Sequence, residues 1–190
     1  MLTEFQTQKM IHFYSMLDYT KNGKLTVEDF LAIAENLCVL WKYREGTEEY
    51  NEIIAKCKKN WRDLTRIMPN LMVEEITRKD WLQFVDQFLV NGEDSQYEMY
   101  VENFVNEIFD YFDTNKDGLI SIEEFVDIFM AYHIEIRYSA KSFTKLDLNG
   151  DETLSREELL IAVRQYFRSD NKEDKGNWLF GFWNVSYFNE

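Results

Sequence analysis

The chain has 190 residues, of which 45% are apolar, so it can bury a substantial core and is not expected to be disordered. Its 35 acidic residues outnumber the 21 Lys and Arg residues, and the formal net charge of −14 disfavours nucleic acids and anionic membranes as partners. Cations are the natural partners of such a surface, although an acidic surface also simply keeps an aromatic-rich protein in solution.

The beginning of the chain and its cysteines bear on the cellular compartment. No charged start with an apolar run and a small-residue cleavage site is visible, and no stretch approaches the roughly 18–20 apolar residues that span a bilayer. Cys38 and Cys57 lie in segments with helical apolar spacing and form no close metal-binding pair, which fits a reducing compartment. We expect a soluble cytoplasmic protein without stable membrane insertion. We also expect a monomer, which the sequence does not fix.

Four segments of the chain repeat one frame, in which an apolar helix, a short polar stretch and a second apolar helix follow one another. The polar stretches begin at Asp18, Pro69, Asp113 and Asp147. The eighth residue of each stretch is apolar, the ninth is a hydroxyl residue and the twelfth is acidic: Leu25, Thr26 and Asp29; Ile76, Thr77 and Asp80; Ile120, Ser121 and Glu124; Leu154, Ser155 and Glu158. A hydroxyl three residues before an acid caps a helix N-terminus, so each ninth residue is predicted to start a helix.

The apolar residues that follow these starts recur at helical spacing and predict that the four exiting helices face one core. The fold class predicted by this frame is all-α, with two paired helix–loop–helix modules followed by an aromatic C-terminal tail. We place the first pair at residues 1–92, the second pair at 93–168, and a charged linker with the tail at 169–190. Residues 91–95 are the predicted hinge between the pairs.

The third polar stretch meets every requirement of a calcium-binding loop. Calcium takes six to eight oxygens, and a 12-residue loop supplies them from positions 1, 3, 5, 7 and 9 and from a bidentate acid at position 12. The predicted ligands are the side chains of Asp113, Asn115, Asp117 and Glu124, the carbonyl of Leu119, and Ser121 through a water. Gly118 permits the tight turn at position 6. The alternative, a loop of Asx turns with an ordinary helix cap, is disfavoured by the flanking amphipathic helices.

The fourth stretch offers a second set of oxygens with one departure. The predicted ligands are the side chains of Asp147, Asn149, Asp151, Ser155 and Glu158 and the carbonyl of Thr153. Its sixth residue is Glu152, where the pattern has glycine. A non-glycine residue held at positive φ costs on the order of 1 kcal/mol, which weakens a site without removing its ligands. We still predict metal binding here.

The first stretch is a poorer set of ligands. The predicted ligands are the side chains of Asp18, Thr20, Asn22, Thr26 and Asp29 and the carbonyl of Lys24. Only two of them are charged, and Asp29 is one methylene shorter than glutamate, so it is less able to bind the ion through both oxygens. This narrows the preference for calcium over magnesium. We predict a weaker or mixed calcium and magnesium site, the alternative being a loop that keeps its shape empty.

The second stretch is predicted not to bind metal, because Pro69, Leu71 and Val73 occupy the positions where carboxylates are needed. Ile76 and Thr77 keep the pairing and capping positions. This copy is therefore predicted to serve as a scaffold for its neighbour through a small β-bridge at the eighth residue, which leaves three metal sites at most.

These features resemble the four-hand sarcoplasmic calcium-binding proteins, with calexcitin and the bacterial calerythrin as relatives. The resemblance covers essentially the whole chain and includes the long first pair, the ligand-free second loop and the segment at residues 175–181. It implies a cup of two paired EF-hands that acts mainly as a calcium and magnesium buffer, with a signalling role for calexcitin. Asp29 and Glu152 depart from the pattern, which affects the expected affinities and not the fold.

The position of the aromatic tail distinguishes two possible functions, a calcium buffer and a calcium sensor. Eight of its residues are large and apolar: Trp178, Leu179, Phe180, Phe182, Trp183, Val185, Tyr187 and Phe188. We expect them to pack into the protein's own groove, because exposed they would aggregate. A groove filled in this way is closed to a target helix, which favours a cytosolic buffer. The alternative is a sensor that releases its tail on calcium binding and exposes the groove to a protein target.

A third hypothesis is a relative of the luminous coelenterazine-binding photoproteins, which are similar four-hand cups. The resemblance implies a His in the last exiting helix and a terminal proline. Residues 155–168 contain no His, the chain ends in Phe188, Asn189 and Glu190, and Pro69 is the sole proline. His12 and His133 are interpreted as partly buried or surface helix residues and not as catalytic ones. Without a nucleophile-and-base motif or a phosphate loop, we expect no enzyme activity.

Overall fold

The computed structural model describes residues 1–68 and 74–182. Within these ranges eight α-helices follow one another: α1 (Glu4–Leu17), α2 (Val27–Leu40), α3 (Glu48–Ile67), α4 (Arg78–Phe84), α5 (Asp94–Phe112), α6 (Ile122–Ala131), α7 (Ser139–Leu146) and α8 (Arg156–Arg168). Two short strands, β1 (Lys24–Leu25) and β2 (Ile76–Thr77), lie in the first pair of hands. The architecture is all-α, as predicted.

The four exiting helices begin where the sequence predicts. The residues immediately before α2, α4, α6 and α8 are the hydroxyl residues at the ninth position of each repeat: Thr26, Thr77, Ser121 and Ser155. In each case the acid three residues later accepts the N–H of the hydroxyl residue. These bonds satisfy N–H groups that have no partner inside the helix.

Each loop pairs with its neighbour at the eighth residue. Leu25 and Ile76 are partners in the antiparallel β1–β2 pair, and Ile120 pairs with Leu154 in an isolated antiparallel bridge. The predicted bridges are confirmed. The hydroxyl of Tyr14, which is almost fully buried in α1, lies 2.9 Å from the Ile76 carbonyl oxygen and 3.0 Å from that of Gly23. The second loop is thereby held against the first.

Both pairs of hands contribute to a single aromatic core. α1 packs against α4 and α8, α5 packs against α8, and α2 packs against α6. Phe13 lies at the centre, with its ring 5.8 Å from that of Trp81 and 5.5 Å from that of Phe167. The apolar stripes predicted for the exiting helices lie mostly within this core. Because both pairs bury their stripes against each other, the cup closes around shared side chains.

The connection between the pairs contains an element that the sequence does not reveal. α4 continues into one turn of π-helix at Val85–Val90 before the chain reaches α5. Arg168, at the end of α8, donates to the carbonyl oxygens of Leu89 (2.6 Å) and Gly92 (3.1 Å). Its guanidinium also lies 3.7 Å from the centre of the Tyr97 ring. Residues within the predicted hinge are thus bonded to the last helix.

The start of the C-terminal tail packs back onto the helices. A 3₁₀ turn at Lys175–Trp178 lies against α7 and α8, and Leu179 and Phe180 are buried. Phe182 is 46% exposed. The tail is confirmed as a packed element as far as Phe180. The remaining predicted tail residues, Trp183, Val185, Tyr187 and Phe188, lie outside the described residues, as do Pro69, Leu71 and Val73 of the second loop.

Candidate metal centres and an aromatic cleft

The third loop is shaped by hydrogen bonds from its own backbone to its acidic side chains. Asp113 accepts from the N–H of Asp117 at 3.1 Å and from that of Gly118 at 3.0 Å, one on each oxygen. Asn115 accepts from Asp117 N–H, and Asp117 accepts from Leu119 N–H at 2.8 Å. Gly118 has φ +80°, a conformation that glycine adopts at little cost. The three side chains are therefore held inside one tight loop.

Glu124 closes this loop by reaching both of its ends. Its Oε1 accepts from the N–H and the hydroxyl of Thr114, and its Oε2 accepts from those of Ser121, all within 2.9–3.0 Å. Burial by itself would raise the pKa of Glu124, but the bonds from Ser121 and Thr114 together outweigh it and lower that pKa. The carboxyl group is therefore ionised at neutral pH.

The fourth loop repeats this arrangement. Asp147 accepts from Gly150 N–H at 2.7 Å and from Glu152 N–H at 3.1 Å, and Glu158 accepts from Ser155 and from Leu148. Glu152 has φ +66°, the left-handed conformation anticipated for a residue in the glycine position. Its N–H makes the same bond to the first aspartate as the glycine of the third loop. The turn is retained and the strain is carried by Glu152.

The first loop differs at its closing acid. Asp18 accepts from Asn22 and Gly23 N–H, and Gly23 has φ +83°. Asp29 is fully buried and accepts from both the N–H and the hydroxyl of Thr20, at 2.9 and 2.8 Å. Because aspartate is shorter than glutamate, it bonds to the third residue of the loop, where Glu124 bonds to the second. The Thr20 hydroxyl, a predicted ligand, is directed to Asp29.

Each of the three loops gathers oxygen atoms that could bind a metal ion, but their acidic side chains do not converge on one point. Across residues 1–68 and 74–182, no three acidic, imidazole or thiol side chains converge closely enough to hold a metal ion. The closing acids bond instead to N–H and hydroxyl groups of their own loops. The donors still fit calcium by their chemistry, because each loop presents carboxylate, amide and carbonyl oxygens within 12 residues and offers no sulfur or imidazole.

A second feature lies between α3 and α5. This feature is a cleft of about 560 Å³, here called the aromatic cleft, which runs from the surface between these two helices into the core. Its inner wall consists of rings, namely Phe13, Phe30, Trp81, Phe104, Phe112 and Phe180. Its outer part carries Asn60, Tyr100, Glu107, Tyr111 and Tyr132. The sequence did not indicate this cleft. An acidic residue on an amphipathic helix, such as Glu107 of α5, is normally interpreted as part of the face that meets solvent.

Neither of the two histidines lies in one of the three candidate metal loops. His12 is largely buried in α1, with Nε2 3.1 Å from the Phe180 carbonyl oxygen, and burial lowers its pKa. His133 follows α6 and contacts Tyr19. In the described part of the chain, none of the helices has the length and apolar character that crossing a bilayer requires.

Comparison with known proteins places these features among EF-hand proteins. Residues 104–132, which span the third loop, match the EF hand domain family. The chain is 24% identical to sarcoplasmic calcium-binding proteins I, III and IV of Branchiostoma lanceolatum, over 95% of this chain and 98% of that one. It is 21% identical to calerythrin of Saccharopolyspora erythraea, over 87% and 94%. The Branchiostoma lanceolatum relatives are calcium-binding proteins by name.

The fold itself is found in a solved structure. The calcium-loaded apo form of the coelenterazine-binding protein of Renilla muelleri aligns with a TM-score of 0.77, at 21% identity, over 96% of this chain and 100% of that one. The likeness at this identity concerns the fold. The resemblance predicted from the sequence is confirmed: residues 104–132 match the EF hand domain, and the chain is similar over most of its length to calerythrin and the sarcoplasmic calcium-binding proteins.

Proposed function

We propose that the protein is a calcium buffer in which the first, third and fourth loops each take one ion. The third and fourth loops would bind through the ligand sets assigned from the sequence. The first loop would be the weaker site and would also accept magnesium, because its two charged ligands include the short Asp29. We further propose that the chain works as a monomer and has no enzyme activity.

The observation that carries the buffer proposal is the position of Phe180. Its ring is 3% exposed and stacks on Phe13 at 5.1 Å, with the Tyr166 ring edge-on at 4.9 Å. It fills the space between α1 and α8. The tail thus occupies the space between α1 and α8 and keeps that space closed to a target helix.

The tail is also held by polar bonds. The ammonium of Lys9, a fully buried residue of α1, donates to Asn177 Oδ1 at 3.1 Å and to the Ser169 carbonyl oxygen at 2.6 Å. Burial lowers the pKa of Lys9 to about 8. Gly176 sits so close to α8 that a Cβ there would lie 2.5 Å from the Ala162 carbonyl oxygen. Releasing the tail would break these hydrogen bonds and this close packing, which opposes a calcium-driven opening.

The test is a calcium titration of the metal-free protein in millimolar magnesium, followed by Trp emission and by the fluorescence of a hydrophobic dye. A buffer gives a Trp change with flat or falling dye fluorescence. A steep rise in dye fluorescence would instead show a groove opening and support the sensor alternative. Phe180→Ala should bind the dye strongly, and Phe182→Ala, at a half-exposed neighbouring ring, is the matched control.

A second candidate function is favoured by one observation, the aromatic cleft. The similar Renilla muelleri protein is named for coelenterazine binding. A cleft of about 560 Å³ lined by rings is of the size and character of small-molecule sites. We propose binding of an aromatic small molecule as an activity that could accompany calcium binding. Saturable binding of a fluorescent three-ring compound to the calcium-loaded protein would test it.

A further inference from the structure

The outer part of the aromatic cleft carries three polar groups that the described chain satisfies poorly. The carboxylate of Glu107 accepts one long hydrogen bond, from Asn60 Nδ2 at 3.4 Å. The hydroxyls of Tyr100 and Tyr132 make no hydrogen bond within residues 1–68 and 74–182, and each retains accessible surface. All three residues line the cleft. Poorly satisfied polar groups beside an apolar cavity are typical of a ligand site, where a few of them fix the ligand's orientation.

The charge in this region is negative. Burial raises the pKa of Glu107 to about 7, Lys59 opposes this shift, and Asp63 and Asp110 add to it. Lys59 lies on the surface and bonds to Asp63 at 2.5 Å. A cation placed in the cleft would meet a carboxylate that has no close cationic partner in the described chain. Such a pair forms away from bulk water, where charge-assisted hydrogen bonds are strongest.

We propose that the aromatic cleft binds a small molecule with an apolar ring body and a cationic nitrogen, the ring lying against Phe13 and Phe104 and the nitrogen donating to Glu107. The inference rests on the proposed small-molecule function and specifies its ligand class. A neutral ring compound fills the apolar part but leaves Glu107 with its single long bond. An anion would be repelled by Glu107, Asp63 and Asp110.

The test uses the full-length, calcium-saturated protein at pH 8 with two fluorescent tricyclic probes, 9-aminoacridine, which is a cation there, and acridine, which is neutral. Wild-type protein should bind 9-aminoacridine at least about tenfold more tightly than acridine, the effect of one charge-assisted hydrogen bond. Glu107→Gln should remove that preference. Glu52→Gln, which removes an exposed acid of α3, should keep it and controls for general attraction to the acidic surface.

A second variant locates the binding. Leu64→Trp adds a ring at the mouth of the cleft and should weaken both probes, while a calcium titration of the same sample reports whether the fold is intact. Equal affinity of the two probes would overturn the ligand class and leave the cleft as a small-molecule site. No saturable binding of either probe, or binding unaffected by Leu64→Trp, would overturn both. The calcium stoichiometry tests the buffer proposal independently.

Discussion

The phenol oxygen of Tyr19 lies 2.8 Å from Nε2 of His133, and the two rings are 4.5 Å apart. Tyr19 is the second residue of the first loop, whereas His133 lies two residues after the end of α6, the exiting helix of the third hand. Nearby, Trp41 Nε1 donates to Asp127 at 3.0 Å, and Asn36 donates to carbonyl oxygens at the end of α6. These bonds join the first hand to the third, across the two pairs.

We expect Tyr19→Phe to remove the hydrogen bond and keep the ring contact, at a cost of about 0.5–1 kcal/mol in unfolding free energy. Urea unfolding of Tyr19→Phe, His133→Ala and the double variant forms a double-mutant cycle. The double variant should cost less than the sum of the single ones, because both remove the same bond. Strict additivity would show that the bond does not form in solution. Tyr43→Phe, at a half-exposed tyrosine near Trp41, is the control.

Glu124 should decide whether the third loop binds an ion. Glu124→Gln keeps the size of the side chain but removes the charge and one acceptor oxygen, so the number of calcium ions bound per chain should fall by one. Isothermal titration calorimetry measures this number. Glu123→Gln removes the charge of the exposed neighbouring acid and should leave it unchanged. If both variants bind as many ions as the wild type, the assignment of this ligand set is wrong.

The positive φ of Glu152 predicts a stabilising substitution. Glu152→Gly relieves the left-handed strain and should raise the unfolding free energy of the metal-free protein by about 1 kcal/mol. Thermal and urea unfolding both report the change. Glu152→Gln separates charge from conformation, since it removes the carboxylate and keeps the strain, and it should not stabilise. A gain of equal size in both variants would assign the effect to charge repulsion.

Glu107 should make stability depend on pH. Burial raises its pKa in the fold from 4.5 to about 7, so the folded state binds a proton that the unfolded state has lost between these pH values. The contribution of Glu107 to stability therefore falls as the pH rises from about 4.5 to about 7 and is constant above that. Glu107→Gln should stabilise the calcium-free protein more at pH 8 than at pH 4.5. Equal effects in urea unfolding at the two pH values would contradict the raised pKa.

The repeating part of this protein follows from local sequence. The helix starts at Thr26, Thr77, Ser121 and Ser155 depend on residues a few positions apart, and the bridges at Leu25 and Ile120 join the same position of neighbouring repeats, so the repeat frame located both. The strain at Glu152 was readable for the same reason, because a fixed position in a tight loop requires a positive φ. The metal ligands assigned on this frame stay predictions until the titrations are made.

What depends on distant parts of the chain was not readable. From the sequence, Lys9 would be predicted to be an exposed lysine on a helix. In the structure it is fully buried, because oxygen atoms at the end of α8 and of Asn177 accept hydrogen bonds from its ammonium group. Arg168 was predicted only as the last residue of the second pair, and the structure shows that it donates to the carbonyl oxygen of Leu89 in the π-turn at Val85–Val90. Each interaction needs two elements far apart in sequence, and no local spacing encodes it.

The sequence by itself determined the four hands, their loops and the loss of ligands in the second, since a 12-residue loop and its caps are complete within one repeat. Only the tertiary structure decided which space inside the protein is filled by side chains and which stays open. Phe180 is buried because α1 and α8 leave a space of its size, and the aromatic cleft exists because α3 and α5 do not close over the rings beneath them. Packing between elements sets both the filled and the open space, and hydrophobic periodicity specifies only which faces turn inward.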